Sequence, residues 1–259
     1  MVKTIAIASG KGGVGKTSLA VNCSVQLSMT GKKVALLDAD FGMANSHILL
    51  DKKVEKTVND LLENQLDIES VLHETSSGLK LIPGGSGVLE LLNLDHQKRY
   101  EIIRALDPLR DEIDILVVDT PAGASDASIE FSAACDAVMI VLVPEPTSFM
   151  DAYAFIKALN MEKKFNNVSV VLNLVENETA AKKSFASFKK IVTKFLNIDL
   201  EYAGWLPESK TIAGSIVSRK PAILKKSLEP VLSKNFSDIA SYMANVKVTK
   251  TGGIKFFNK

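Results

Sequence analysis

The chain has 259 residues and carries 31 Lys and Arg against 30 Asp and Glu, so its formal net charge is +1. A hydrophobic share of 46% and a charged share of 24% exclude the composition of a disordered chain. The near-zero net charge also argues against a uniformly basic surface of the kind that binds nucleic acid. However, residues 1–175 hold 16 basic and 23 acidic side chains, whereas residues 176–259 hold 15 and 7. An anionic partner is therefore expected first toward the C-terminal end.

Five short apolar runs, rich in Val, Ile and Leu, are continuous rather than alternating, which is typical of strands buried on both faces of a parallel sheet. They lie at 3–9, 34–38, 113–119, 137–143 and 168–173, and helical patterns lie at 17–30, 185–195 and 232–246. This order predicts an α/β fold with a doubly wound, mostly parallel sheet flanked by helices. We expect one domain over residues 1–246 and a disordered, basic, Phe-containing tail over residues 247–259.

The sequence also bears on the cellular compartment. Cys23 and Cys135 lack the spacing of a disulfide framework or a metal site, which favours a reducing compartment. Met1 leads directly into the first predicted strand, without the features of a signal peptide. The apolar run at 137–143 is far shorter than the roughly 20 residues that span a bilayer. A cytoplasmic protein is expected.

The segment Gly10–Thr17, GKGGVGKT, lies between the first predicted strand and the first predicted helix and fits the phosphate-binding pattern GxxxxGK[ST]. Its glycines let successive backbone N–H groups point at phosphate oxygens, and the helix adds its positive N-terminal end. Lys16 would reach the β and γ phosphates, and the Thr17 hydroxyl would bind Mg²⁺. The predicted phosphate-side residues are Gly10, Lys11, Gly12, Gly13, Val14, Gly15, Lys16, Thr17 and Ser18.

Acidic residues follow two of the predicted strands. Asp38 and Asp40 end the strand at 34–38, and Asp119 ends the strand at 113–119. Ligands bind at the carboxyl ends of parallel strands. Because Asp38 and Asp40 are two residues apart, they would share one face of an extended strand. Both carboxylates could then face the Mg²⁺–phosphate region.

A second lysine in the loop, Lys11 of KGGVGKT, resembles the deviant Walker A loop of the MinD/ParA family of ATPases. The resemblance implies that Lys11 reaches across a dimer interface to the partner's nucleotide. It implies that Asp38 and Asp119, with Thr17, hold Mg²⁺, and that Asp40 orients the attacking water. The catalytic residues would then be Lys11, Lys16 and Asp40.

The family resemblance extends to the base and to the loops beside the phosphates. It implies adenine as the base, contacted by Asn173 and by Pro207 and Glu208, so that the cofactors are ATP or ADP and Mg²⁺. Gly42 and Gly123 would let their loops move between nucleotide states.

Residues 144–160, PEPTSFMDAYAFIKALN, resemble the flagellar-number branch of the family, called FlhG, FleN or YlxH, as do residues 40–45 and the terminal GIKFF. The resemblance implies a homodimer with ATP and a monomer with ADP or without nucleotide, with Lys11, Asn45, Glu145 and Asp151 at the dimer interface. It implies a FlhF-like GTPase and a FleQ- or FlrA-type transcription activator as partners. The DQA-type segment with which relatives stimulate FlhF has no counterpart before the first strand.

The tail carries Ile254, Phe256 and Phe257 among lysines, a composition suited to weak peripheral attachment at the inner face of the cell membrane. Two tails on one dimer would bind as a linked pair. Folding back onto the domain and disorder remain open as alternatives. Lysines on the predicted helix around 182–194 are more typical of a solvated face than of a DNA contact, so nucleic acid is disfavoured.

These observations predict an ATP-dependent dimerising switch, a Mg²⁺-dependent ATPase with slow hydrolysis linked to dimerisation. It would control flagellar number or placement through membrane and partner-protein binding. One alternative is a ParA-type partition or positioning ATPase acting on DNA or on septum placement. Another is a P-loop metabolic enzyme that works as a permanent dimer.

Overall fold

The computed structural model describes residues 1–41, 43–64, 66–85, 94–248 and 254–257. Within them the strands are β1 Lys3–Ala8, β2 Val34–Asp38, β3 His73–Glu74, β4 Lys80–Ile82, β5 Ile115–Asp119, β6 Ala137–Leu142, β7 Val168–Leu172 and β8 Glu201–Trp205. The α-helices are α1 Lys16–Met29, α2 Ser46–Leu49, α3 Val58–Glu63, α4 His96–Ala105, α5 Asp126–Ala133, α6 Pro146–Lys163, α7 Glu178–Phe195, α8 Lys210–Val217 and α9 Pro230–Asn245.

The strands form one sheet in the order β3-β4-β2-β5-β1-β6-β7-β8. Every pairing is parallel except that of β3 with β4. The sheet is therefore doubly wound about the central strand β1, as the alternation of strands and helices predicted. In such sheets the carboxyl ends of the central strands form the ligand-binding edge.

An apolar core lies on each face of the sheet, because successive side chains of a strand point to opposite faces. Ile5 and Ile7 of β1 belong to the core under α1 and α9, whereas Ala6 and Ala8 belong to the core under α3, α4, α5, α6 and α7. Helices on both faces explain why the strand sequences are continuous rather than alternating.

The five predicted strands are confirmed with bounds that differ by at most two residues, and the three predicted helices are present. β3, β4 and β8 have no predicted counterpart. β8 is an edge strand whose residues are mostly half-exposed, so it lacks the apolar run that marks the inner strands.

The prediction of a disordered tail is wrong for residues 254–257, which we call the C-terminal strap. Phe256 is 5% exposed, belongs to the core under α4 to α7, and donates its backbone N–H to the carbonyl oxygen of Ala134 at 3.0 Å. Phe257 is half-buried and Ile254 is exposed. Of the three possibilities considered for the Phe pair, the structure has the pair folded back onto its own domain.

Lys255 anchors the strap. Its ammonium donates to the carbonyl oxygens of Ala133 and Cys135, at 2.7 and 2.8 Å, and lies 4.8 Å from the ring centre of Phe165. Since α5 ends at Ala133, the ammonium caps the negative C-terminal end of that helix. The guanidinium groups of Arg104 and Arg110 donate to the carbonyls of Lys255 and Phe257.

Both cysteines are fully buried. Cys23 of α1 lies in one core and Cys135 in the other, and burial raises the pKa of each thiol. Neither forms a disulfide. In the described part of the chain, no helix is both long and apolar enough to cross a membrane.

Candidate active site

The glycine-rich loop connects β1 to α1 at the carboxyl edge of the sheet. Gly13 and Gly15 have φ angles of 79° and 90°, in the left-handed region that glycine enters without strain. α1 begins at Lys16, and no side chain caps its first turn. The first N–H groups of α1 are therefore available to an anion, and the positive end of the helix dipole lies at the same place.

Strand register brings the predicted acidic residues together. Asp38 and Asp119 are paired neighbours at the last positions of the adjacent strands β2 and β5. Lys16 lies beside them, because its ammonium is 2.7 Å from Oδ1 of Asp119. All three side chains are buried, and Asp119 is 0% exposed.

Backbone amides hold the Asp38 carboxylate in place. Its Oδ2 accepts from the amides of Asn45 and Ser46 at 3.0 and 2.8 Å, and its Oδ1 accepts weakly from the amide of Asp40 at 3.3 Å. Burial, together with the nearby charge of Asp119, nevertheless raises the pKa of Asp38 to about 6. The site therefore concentrates negative charge that one lysine does not neutralise.

The donor set fits Mg²⁺. Oδ2 of Asp119 is buried and has no hydrogen-bond partner, which is costly for a carboxylate oxygen unless a cation approaches it. No cluster of three or more His, Cys, Asp or Glu suited to a metal occurs among the described residues. Mg²⁺ commonly takes one or two carboxylates and completes its shell with phosphate oxygens and water. Thr17 is half-buried in the first turn of α1, next to Lys16.

Asp40 is half-buried just beyond the strand end. Burial raises the pKa of its carboxyl group, with a further contribution from Asp119 and an opposing one from Lys16. Asp40 is thus within electrostatic reach of both groups. A carboxylate of raised pKa beside the phosphate region is suited to hold a water molecule and take up its proton.

Lys11 lies on the outer side of the loop and forms an ion pair within its own chain. Its ammonium is 2.6 Å from Oε2 of Glu145 and 3.4 Å from the hydroxyl of Thr147. Glu145 immediately precedes α6 but makes no capping hydrogen bond with its side chain. Asp151 of the same helix lies under the loop, since a Cβ on Gly10 would come within 2.2 Å of the Asp151 carbonyl carbon.

A cavity of about 570 Å³ adjoins the loop on the side of β7 and β8. Asn173, directly after β7, donates from Nδ2 to the carbonyl of Val14 at 2.8 Å, and its Oδ1 is buried without a hydrogen-bond partner. Leu174, with a φ of 57°, exposes an apolar side chain to the cavity. An apolar wall with a few polar groups suits a flat, polar base.

The structure brings most of the predicted site residues together. Gly13, Gly15, Ser18, Asn173, Pro207 and Glu208 all line this cavity. Val14 is buried, Gly12 is exposed, and Gly123, with a φ of 83°, donates its N–H to the carbonyl of Ser9 at 2.9 Å. Asn45 is exposed at the start of α2. Gly42 lies outside the described residues.

Three features of the site have no signal in the sequence pattern. The amides of Asn45 and Ser46 reach Asp38 only because the chain turns back after β2. Leu174 and the α8 residue Ile212 line the base side of the cavity, but a leucine and an isoleucine there look like ordinary core residues. The pairing of Lys11 with Glu145 joins residues 134 positions apart.

Together, the loop at the start of α1, the buried Lys16 and the paired carboxylates define a P-loop nucleotide-binding protein. A sequence model described as an AAA domain (AAA_31) matches residues 2–171. The chain is 34% identical over 219 residues to the antiactivator FleN of Pseudomonas aeruginosa, covering 85% of this chain and 78% of FleN. It is 32% identical over 271 residues to the flagellum site-determining protein YlxH of Helicobacter pylori, covering 99% and 89%.

Solved structures share the fold. MinD of Pyrococcus horikoshii, solved with Mg-ADP, superposes with a TM-score of 0.79 at 24% identity, covering 95% of this chain and 97% of that one. MinD in the MinC:MinD complex of Aquifex aeolicus gives a TM-score of 0.77 at 25% identity, covering 97% and 100%. The chain belongs to the MinD/ParA family of P-loop ATPases.

Proposed function

We propose that this protein is an ATP-dependent dimerising switch. ATP with Mg²⁺ closes two copies face to face, and hydrolysis to ADP and phosphate returns them to monomers. The observation that carries the proposal is the position of Lys11. Its ammonium pairs with Glu145 on the outer side of the loop, while Lys16 alone reaches the buried carboxylates. A lysine in that place is available to a nucleotide approaching from a second copy.

Residues of this chain take each role in the proposed hydrolysis. The loop amides and Lys16 bind the phosphates, and Asp40 positions the attacking water and accepts its proton as the bond to the leaving ADP oxygen breaks. Lys11 of the facing copy adds positive charge at the transferred phosphate. Asp38, Asp119 and Thr17 would hold Mg²⁺, which when bound would neutralise charge that develops on the phosphate oxygens.

The cellular role that the relatives support is control of flagellar number or placement. One is named an antiactivator and the other a flagellum site-determining protein. We therefore propose a FleQ- or FlrA-type transcription activator and a FlhF-like GTPase as partners of the ATP-bound dimer. We further propose peripheral contact of the dimer with the inner face of the cell membrane.

Gel filtration with light scattering tests the switch. We expect a monomer with ADP and a dimer with ATP and Mg²⁺. Asp40→Ala should keep the ATP dimer, because it removes the water-positioning carboxylate and not a phosphate contact. Lys16→Ala should stay monomeric. A particle of unchanged size in every nucleotide state would exclude the switch.

Steady-state phosphate release tests the role of Lys11. Lys11→Ala should lower hydrolysis by about a hundredfold or more, by analogy with the loss of a charge supplied in trans. Its ADP affinity should change little. Lys53→Ala, an exposed lysine outside the loop, is the matched control. Hydrolysis by Lys11→Ala at the rate of the control would remove the residue from the mechanism.

A further inference from the structure

An unpaired basic surface lies beside the base cavity. Residues 209–228, which we call the basic segment, comprise α8 and the turns after it and contain no acidic residue; its cations are Lys210, Arg219, Lys220, Lys225 and Lys226. Among the described residues, none of these five has a carboxylate within 4.0 Å. By contrast, Lys182 and Lys189 of α7 pair with Glu178 and Asp199.

The backbone gathers these cations around the end of α8. Arg219 adopts a φ of 51°, and its N–H donates to the carbonyl of Ile216 at 3.2 Å. The next N–H, that of Lys220, reaches back to the carbonyl of Ser215 at 3.0 Å. This is the pattern of a helix closed by a left-handed residue, and it keeps both cations at the last turn.

Lys225 joins the same surface from the following turn. A Cβ placed on Gly214 would lie 3.6 Å from the Lys225 ammonium, so this side chain lies along α8. The remaining cations, Lys210 and Lys226, are exposed.

Two exposed aliphatic side chains lie within the basic segment. Val217 is 85% exposed and Ile216 is 46% exposed. Both belong to the last turn of α8, beside Arg219 and Lys220. Branched aliphatic side chains neither stack on bases nor bond to phosphates, so they add nothing to a nucleic-acid contact. Flanked by cations, they suit the boundary between the head groups and acyl chains of an anionic membrane.

We propose that the basic segment is an anionic-membrane contact surface, in which Val217 enters the lipid interface and the cations bind lipid phosphates. This surface is distinct from the C-terminal strap, whose Phe256 is committed to the core. The basic segment would be the membrane contact of the proposed switch. This inference rests on the proposed function only where membrane binding is expected to depend on the bound nucleotide. Ile216 also lines the base cavity, so the two sites share α8.

Vesicle sedimentation at low salt tests the surface, with phosphatidylcholine vesicles that contain or lack phosphatidylglycerol. The wild-type protein should co-sediment with the anionic vesicles only. Arg219→Gln with Lys220→Gln should weaken that binding about 30-fold, at about a fivefold loss for each cation. Val217→Gln should weaken it about tenfold or more. The matched control, Lys183→Gln with Lys190→Gln, makes the same charge change at exposed α7 positions and should bind like the wild type.

Each of the following results would overturn the proposal. Vesicle binding that survives the α8 pair, or that is lost in the α7 control, would move the contact elsewhere. A DNA duplex shifted by the wild type and not by the α8 pair, without vesicle binding, would make the surface a nucleic-acid site. Loss of the ATP dimer in Val217→Gln would make it an interface between copies. Normal ATP-dependent dimerisation without any vesicle binding would refute this surface and leave the switch intact.

Discussion

Shortening or weakening the C-terminal strap should destabilise the domain by a limited amount. Truncation of a buried Phe in a core that cannot relax costs about 3–5 kcal/mol. Phe256 is equally buried, but its segment can detach from the domain as a unit. The loss in any strap variant is therefore limited to the free energy with which the strap docks.

The docking free energy follows from the contacts. Burial of Phe256 contributes about 1.5–3 kcal/mol. The two hydrogen bonds from the Lys255 ammonium contribute about 1.5–3 kcal/mol each, because the donor is charged. Ordering the backbone of four residues costs about 1–2 kcal/mol each, and fixing the buried Lys255 side chain costs about 1.5–2 kcal/mol more. With about 1 kcal/mol from each guanidinium–carbonyl contact, the net value is about 1 kcal/mol.

Urea unfolding followed by circular dichroism measures this limit. We expect Phe256→Ala, Lys255→Met and their combination to lose the same free energy of unfolding, about 1 kcal/mol, as a chain that ends at residue 253. Phe236→Ala, in the fully buried part of α9, is the control and should lose about 3–5 kcal/mol. If the two strap substitutions were additive, or if Phe256→Ala lost as much as the control, the strap would be an integral part of the core.

Three further predictions concern the nucleotide edge. Gly10→Ala should lower the melting temperature strongly, because the new Cβ would lie 2.2 Å from the Asp151 backbone. Gly12→Ala is the control and should melt like the wild type, because a Cβ there has nothing within 4 Å. Equal melting temperatures for the two variants would refute the overlap. Burial raises the pKa of Asp38 in the folded protein to about 6, above its ordinary 3.8, so the stability that Asp38 contributes falls as the pH rises from about 4 to 6. Asp38→Asn lacks this titration and should gain stability relative to the wild type over that window, by at most about 3 kcal/mol in urea unfolding. A difference between the two proteins that stayed constant with pH would contradict this. Asn173→Ala should weaken ATP about tenfold more than inorganic triphosphate in competition with a fluorescent nucleotide. Both ligands lose the loop support that the Asn173–Val14 hydrogen bond gives, and only ATP also loses the base contact, so equal losses would argue against that contact.

The sequence predicts the centre of this fold better than its edges. β1, β5 and β6 are buried on both faces, so their apolar runs were sufficient to identify them. β8 lies at the edge of the sheet and its composition is mixed, and β3 has only two residues. Their positions depend on pairing with neighbours far away in the chain, which periodicity does not encode.

The site residues also differ in how well the sequence predicts them. The loop residues and Asp119 follow local rules, since a phosphate cradle needs contiguous residues and the end of a strand has a fixed location. The partner of Lys11 and the burial of Lys255 do not follow such rules. A lysine in a basic C-terminal tail is typical of a solvated position, and only the carbonyls at the end of α5 make the burial of Lys255 favourable.

The burial of both cysteines makes the unmodified chain a convenient background for thiol labelling. Cys23 and Cys135 are inaccessible, and their raised pKa values leave almost no thiolate at neutral pH. A cysteine introduced at an exposed position, such as Val217, would therefore take a fluorophore alone. Each native thiol would react only when the core around it opens to solvent. Because the two thiols lie in different cores, their labelling rates would report separately how fast each face of the sheet opens.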